Sequence, residues 1–321
     1  MKNDKFQPKI VVLGGGTGLS VLLRGLKKYT PNLTAVVNVT DDGGSSGALR
    51  RELGVLPPGD IRNCLVALSE EENLMTKLFQ YRFPSAGSLS GHSFGNLFLT
   101  AMSSLSGGFD SGVARASEVL AIRGQVLPVT LSSVTLKATL LNGKVVQGES
   151  KITGSDSPIK HLAINPASPP PGPNVIESIM SADGIVIGPG SLYTSIISNL
   201  LVRGVTRALK ESRAPKIYIS NLMTQPGETS GYKLSDHLET IEKYLGKNVI
   251  NYIVANTKII DKKVLKRYTK GNSAPVLVDK KKFGKSKLVK SNLVSATKEF
   301  VRHNSEKLAA KIIEIIKSHN R

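Results

Sequence analysis

Lys9-Ile10-Val11-Val12-Leu13-Gly14-Gly15-Gly16-Thr17-Gly18 decides the fold of this 321-residue chain. A short apolar run meets a glycine loop, and a helical pattern follows. A second apolar run, Ala35-Val36-Val37-Asn38-Val39, then meets Thr40-Asp41-Asp42-Gly43-Gly44-Ser45-Ser46-Gly47. Strand, glycine loop, helix, strand and polar loop open a nucleotide-binding α/β domain. Consecutive glycines let backbone N–H groups converge on one anion, because no Cβ blocks close approach. The helix that follows adds its positive N-terminal end. The segment reads as a seat for a diphosphate.

The loop departs from two common phosphate-binding patterns. Walker A ends in Gly-Lys-Ser/Thr, whereas Gly18 is followed by Leu19-Ser20. The dinucleotide fingerprint wants glycine at its first, third and sixth positions and an acid ending the second strand. Gly14 and Gly16 fit, but Leu19 and Asn38 stand at the other two places. Both departures lead away from ATPases and NAD enzymes and toward a single nucleotide diphosphate.

The opening pattern recurs. Asp183-Gly184-Ile185-Val186-Ile187 precedes the loop Gly188-Pro189-Gly190-Ser191-Leu192-Tyr193-Thr194-Ser195. Lys216–Ser220 precedes the loop Asn221–Thr229 and a helix over Leu234–Leu245. Val249–Val254 reads as a further strand, ending at Asn256. Ligands of open parallel sheets lie at the carboxyl ends of strands, so polar loops at four such ends predict one shared cleft. Residues 40–60 read as a long polar loop, with Asp60 capping a helix over Ile61–Leu68. Ser93 opens a helix over Phe94–Leu105, and Asn73–Gln80 and Ser305–Ser318 are helical as well. Asn142-Gly143, between Val134–Leu140 and Lys144–Glu149, marks a hairpin. The expected fold is α/β: a Rossmann-like three-layer arrangement with a mostly parallel central sheet. It carries an antiparallel hairpin excursion at 131–152. One domain spans 1–321, with a basic C-terminal part at 256–321.

Composition narrows the classes. A hydrophobic fraction of 40% suits a globular chain with an ample core. No apolar stretch is long enough to span a bilayer, and no signal core follows Met1, so a cytoplasmic protein is expected. The single Cys64, in an apolar helical run, reads as a buried inert thiol. Net charge is +19. Residues 258–290 hold twelve Lys or Arg against Asp261 and Asp279. With only Tyr268 and Phe283 there to stack on bases, and no DNA- or RNA-binding motif, small polyanions suit this stretch better than nucleic acid.

Asp41 and Asp42 are candidates to hold Mg²⁺ or a substrate hydroxyl; an Asx-turn is the alternative. His92, His161, His237, His303 and His319 lack metal-ligand spacing, and His92 is the best placed of them before a helix. Lys266-Arg267-Tyr268 and Phe300-Val301-Arg302-His303 each offer a cation and an aromatic ring for a phosphate and a base. A solvated basic face is the competing reading.

These stretches, with Pro57-Pro58-Gly59-Asp60-Ile61-Arg62-Asn63 and Gly91-His92-Ser93-Phe94-Gly95-Asn96, closely resemble the gluconeogenesis factor family (YvcK type). That family is related to the 2-phospho-L-lactate transferases (CofD type). The resemblance covers residues from about 8 to about 318. It implies a cytoplasmic, nucleotide-sugar-binding regulator, with UDP-N-acetylglucosamine as the typical ligand. It also implies a role in cell shape and envelope synthesis during growth on gluconeogenic carbon sources, with a protein of envelope synthesis as partner. Tyr268 and Arg302 match positions the family uses for the nucleotide sugar. The binding set is then Gly15, Gly16, Thr17, Gly18, Asn38, Asp42, His92, Asn96, Gly190, Ser191, Leu192, Asn221, Tyr268 and Arg302. No cofactor is obligatory, a homo-oligomer is expected, and membrane insertion is not. The transferase branch has Asp-Leu-Asp-Thr where this chain has Asp60-Ile61-Arg62-Asn63. Arg62 in place of the second acid argues against phospholactyl transfer. An Mg²⁺-dependent transferase using Asp41, Asp42 and Asp60 is the enzyme alternative, and a nucleic-acid binder is the third.

Overall fold

The computed structural model describes residues 6–70, 74–84, 87–279, 281–296 and 300–320. Its strands are β1 Ile10–Gly14, β2 Leu33–Val37, β3 Gln125–Pro128, β4 Thr135–Leu140, β5 Val145–Gln147 and β6 Ile159–Asn165. They continue with β7 Gly184–Ile187, β8 Lys216–Ile219, β9 Tyr252–Asn256, β10 Lys287–Ser291, β11 Val294–Ala296 and β12 Val301–His303. Seven of them form one parallel sheet in the order β10-β9-β8-β7-β1-β2-β3. The chain lays down β1, β2 and β3 to one side, then returns to add β7 through β10 on the other. The order therefore reverses at the β1–β7 seam, where doubly wound sheets open a crevice.

β1, β2, β7 and β8 are buried along their whole length, as strands covered on both faces must be. Alternation along β1 sends Val11 and Leu13 to one apolar layer and Ile10 and Val12 to the other. The second layer holds Leu19, Leu22 and Leu23 of the helix Gly16–Leu26 together with Leu308, Ile312 and Ile316 of the helix Ser305–His319. The two helices approach so closely that a Cβ on Gly25 would stand 2.7 Å from the Ser305 carbonyl carbon. Both fold faces are thus covered by helices, in the expected three-layer α/β arrangement.

The hairpin excursion exists and is larger than expected. β4 pairs antiparallel with β5 across Asn142-Gly143, where Gly143 adopts φ +84°. On its other edge β4 pairs with β6, which carries no alternation strong enough to announce it. A separate ribbon joins β11 to β12, placing Arg302 opposite Ser295. β10, inside the basic stretch, is also unannounced. It adds Lys287 and Lys290 to the sheet edge, a position where charge discourages further pairing.

Three local expectations are corrected. Residues 40–60 are not one loop: Gly44–Leu53 is a helix, stopped by Gly54 at φ +67°. Its Gly-Ser-Ser-Gly start has poor helix propensity, so tertiary contacts override the local signal. Asp60 is not a cap: the helix starts at Gly59, and Asp60 lies in its first turn with its carboxylate turned to the glycine loop. The helix after Gly188–Ser191 opens as a π-helix, Leu192–Ile197, before Ser198–Leu200. By contrast Phe94–Leu105 and Leu234–Leu245 form as expected, and Ser93 accepts from Asn96 N at 3.2 Å as an N-cap. The expected helix at Asn73–Gln80 is observed as Leu74–Gln80, and Asn73 lies outside the described residues.

Candidate functional site

A cavity of about 240 Å³ lies at the β1–β7 seam. Gly15, Gly16, Thr17 and Gly18 form one wall and Pro189, Gly190 and Ser191 the opposite one. The walls touch through backbone. A Cβ on Gly18 would stand 3.1 Å from Pro189 O, and one on Gly190 3.3 Å from Gly15 O. A side chain at either place would press on the facing backbone. Gly16 has a φ of +67° at the start of the helix Gly16–Leu26, which favours glycine.

The floor comes from the third loop. Asn221 Nδ2 donates to Gly190 O at 2.9 Å, and Gln225 Nε2 donates to Ser191 Oγ at 2.7 Å. Asn221 Oδ1 is buried without a partner. The roof comes from the basic part. Asp261 caps the helix Lys262–Lys270, accepting from Lys263 N at 2.6 Å. Val264, Leu265 and Tyr268 of that helix pack on Leu222, Met223, Ile260 and Val294. Tyr268 OH accepts the Val301 N–H at 2.8 Å, which fixes β12 and so Arg302 at the cavity edge. The Arg302 guanidinium lies 5.2 Å from the Phe300 ring centroid. His303 closes the lining. Burial lowers its pKa to about 4, so its ring is neutral, and Nε2 has no partner.

Beneath the glycine loop lies a buried polar cluster. Asn38 Nδ2 donates to Thr40 Oγ1 at 2.9 Å and to Thr194 O at 3.1 Å, and Thr40 Oγ1 donates to Glu149 at 2.8 Å. Asn38 Oδ1 has no partner and faces Gly15. Asp60 Oδ2 accepts the Gly16 N–H at 2.7 Å. Burial raises the Asp60 pKa to about 6; the bond from Gly16 opposes this, Asp41 adds to it, and Arg62 opposes it. Burial also raises Glu149, the Thr40 bond opposes that rise, and Asp41, Asp60 and Glu228 reinforce it. Glu228 accepts from Tyr193 N at 3.0 Å and from Thr194 Oγ1 at 3.0 Å, so this carboxylate ties the second loop to the third.

Nine predicted residues line the cavity: Gly15, Gly16, Thr17, Gly18, Gly190, Ser191, Asn221, Tyr268 and Arg302. The other five stand elsewhere. Asn38 lies under Gly15, and Leu192 is a core side chain. His92 Nδ1 lies 3.1 Å from Ser45 Oγ, to which Asn96 Nδ2 donates at 3.0 Å. Arg62 joins that network through Ser93 and Asn96 Oδ1, and burial lowers its pKa to about 10. Asp42 lines a different cavity, its Oδ1 accepting from Ser150 N at 2.8 Å and Oγ at 2.6 Å. Asp41 Oδ1 accepts the Gly43 N–H at 3.0 Å in an Asx-turn. The adjacent acids are thus turned to separate partners. Among the described residues no three His, Cys, Asp or Glu side chains converge to hold a metal ion.

The expected binding set omits Gln225, Ser195 and His303 of the lining and Glu149 and Glu228 below it, although Ser195 and His303 stand within stretches already singled out. Gln225 and Glu228 stood within the third loop, but nothing in spacing separates them from their neighbours. Glu149 had no signal, because the excursion that delivers it is remote in sequence. No helix among the described residues is long and apolar enough to cross a membrane.

The family model described as 2-phospho-L-lactate transferase CofD matches residues 10–296. A relative from Nostoc sp. is 52% identical over 96% of this chain and 68% of its own length. The gluconeogenesis factor of Bacillus subtilis is 44% identical, covering 97% of this chain and 99% of the relative. A crystal structure of a UPF0052 family member from Bacillus halodurans superposes with a TM-score of 0.91 at 45% identity. It covers 96% of this chain and 99% of its own. The chain therefore belongs to the CofD family, on the branch whose members are named gluconeogenesis factors.

Proposed function

We propose that this chain is a cytoplasmic, non-catalytic regulator that binds a nucleotide diphosphate sugar of the UDP-N-acetylglucosamine kind. The observation that carries the reading is the cavity between Gly15–Gly18 and Gly190–Ser191, roofed by Tyr268 and Arg302. Backbone N–H groups at a helix N-terminus suit a diphosphate. An arginine at the rim suits a second phosphate oxygen, and a tyrosine ring suits a base or sugar face. Control of envelope synthesis during growth on gluconeogenic carbon, through a protein partner, is part of the same proposal, suggested by the family resemblance.

Thermal unfolding with UDP-N-acetylglucosamine tests it. Ligand at about 100 times Kd adds about 2.7 kcal/mol to stability. Arg302→Ala is expected to abolish the shift at that concentration while leaving the unliganded midpoint unchanged. An absent shift in the parent protein, or an undiminished one in the variant, refutes the reading.

One observation favours a transferase as the second reading. Asp60, with its pKa near 6, stands against the loop that would hold a diphosphate donor, which suits a general base near neutral pH. Turnover of a nucleotide donor that is lost in Asp60→Asn supports this reading, and no turnover across a donor panel excludes it.

A further inference from the structure

We propose that the protein has a second ligand site, for a phosphomonoester, in the cavity beside Asp42 and apart from the glycine-loop cleft. This cavity measures about 420 Å³ and is lined by Arg50, Arg51, Lys151, Ser133, Thr135 and Asp42, among others. Three cations face one carboxylate there. Asp42 already has one oxygen committed to Ser150, so the cavity retains a positive balance.

Arg50 is the telling group. Its Nη2 donates to Val134 O at 2.5 Å and Thr135 Oγ1 at 3.2 Å, both neutral acceptors. Its Nη1 and Nε bond to no described residue. The side chain is half-buried, and its loss of water is strong enough to lower its pKa despite the charges of Asp42 and Asp41. A half-buried guanidinium with no carboxylate within ion-pair distance and two unbonded donor groups is an arrangement that an anion can complete. Arg51 Nη1 hangs over Gly47, 3.2 Å from where a Cβ there would stand. Lys151 faces it from the helix Glu149–Thr153, and neither forms an ion pair with a described residue. The phosphate takes a single free donor of Arg50, Nη1 or Nε, with Arg51 and Lys151 beside it, while the free Asp42 oxygen suits a hydroxyl on the ester.

The site has a route to the cleft. Glu149 and Lys151 share one short helix, and Glu149 holds Thr40, which holds Asn38 beneath Gly15. A ligand drawing on Lys151 therefore pulls on the same helix that supports the glycine loop.

Isothermal titration of the whole protein with inorganic phosphate and with glycerol 3-phosphate tests the site, with glycerol as the uncharged control. Saturable binding of both anions is expected, persisting when the cleft is filled with UDP-N-acetylglucosamine. The exposed pair Arg51→Gln/Lys151→Gln is expected to weaken both at least about tenfold, with unfolding midpoint and nucleotide affinity unchanged. Anion binding that is absent, that UDP-N-acetylglucosamine displaces competitively, or that the double variant retains in full overturns the proposal.

Discussion

Replacing Asp60 by Asn tests whether this carboxyl is held against its preference for water. Its pKa rises from 3.8 to about 6 on folding, chiefly through burial. A rise of about 2 units at about 1.36 kcal/mol per unit corresponds to about 3 kcal/mol of folding free energy. The sign follows from which state binds the proton more tightly. The folded state does, so the favourable contribution is full below pH 3.8 and is lost as pH rises toward 6. Above pH 6 the native protein carries an ionised, desolvated carboxylate. Asparagine has the same shape, can still accept the Gly16 N–H through Oδ1, and never ionises. Asp60→Asn is therefore expected to be more stable than the parent by about 2–3 kcal/mol at pH 8, shrinking to near zero at pH 4. Urea denaturation at half-unit pH steps reads the difference. His237 and His303, each lowered by burial to about 4, destabilise the fold on acidification through the opposite sign. They act alike in both proteins, so the subtraction removes them. A variant no more stable at pH 8, or a gap that stays constant between pH 4 and 6, refutes the reasoning. If the transferase reading also holds, the same substitution gains stability and loses turnover, as ionisable groups strained for function do.

Substitutions at two further positions probe the architecture around the loop. Gly15→Ala leaves an extended backbone at φ −171°, but the new methyl collides with Asn38 Oδ1 and stands 2.7 Å from Asp60 Oδ2. A loss of about 1–3 kcal/mol in urea denaturation is expected from the overpacking, together with loss of nucleotide binding; an unchanged denaturation midpoint would contradict the close approach. Glu228→Ala strips acceptors from the Tyr193 N–H and the Thr194 N–H and hydroxyl. It is expected to cost about 2–5 kcal/mol. Glu228→Gln is expected to lose much less, because burial already disfavours the charge; equal losses in both would show that the carboxylate's charge rather than its shape ties the loops.

The central sheet was legible because parallel strands buried on both faces are continuous apolar runs, and because glycine loops punctuate their ends. Seven of the candidate binding residues, Gly15 to Gly18, Gly190, Ser191 and Asn221, meet in one cavity because the carboxyl ends of adjacent parallel strands must be neighbours, whereas Tyr268 and Arg302 arrive from the helix Lys262–Lys270 and from β12. What stayed hidden has a common physical origin. β6 and β10 carry mixed polar and apolar residues, so no periodicity marks them. The helix Gly44–Leu53 begins with Gly-Ser-Ser-Gly and forms because its flanks pack, not because its residues favour it. Asp42 and His92 looked like cleft residues from their neighbours in sequence. Their side chains instead serve contacts delivered by Ser150 and Ser45, and no local spacing encodes such distant partners. Asp60 shows the same effect at a helix start, where a remote N–H outcompetes the local capping geometry.

The cleft draws its walls from Gly15 at one extreme and His303 at the other, and the loop's own helix rests on the helix Ser305–His319. Contacts this distant in sequence carry a larger loop-closure entropy than local ones, so the cleft depends on the whole fold rather than on one segment. The first strands and helices hold every glycine of the loop, yet its roof and its backing come from the far end of the chain. If the proposed ligand binds in this cleft, its affinity therefore reports that both ends of the chain are in place, a property that no local measure of secondary structure captures.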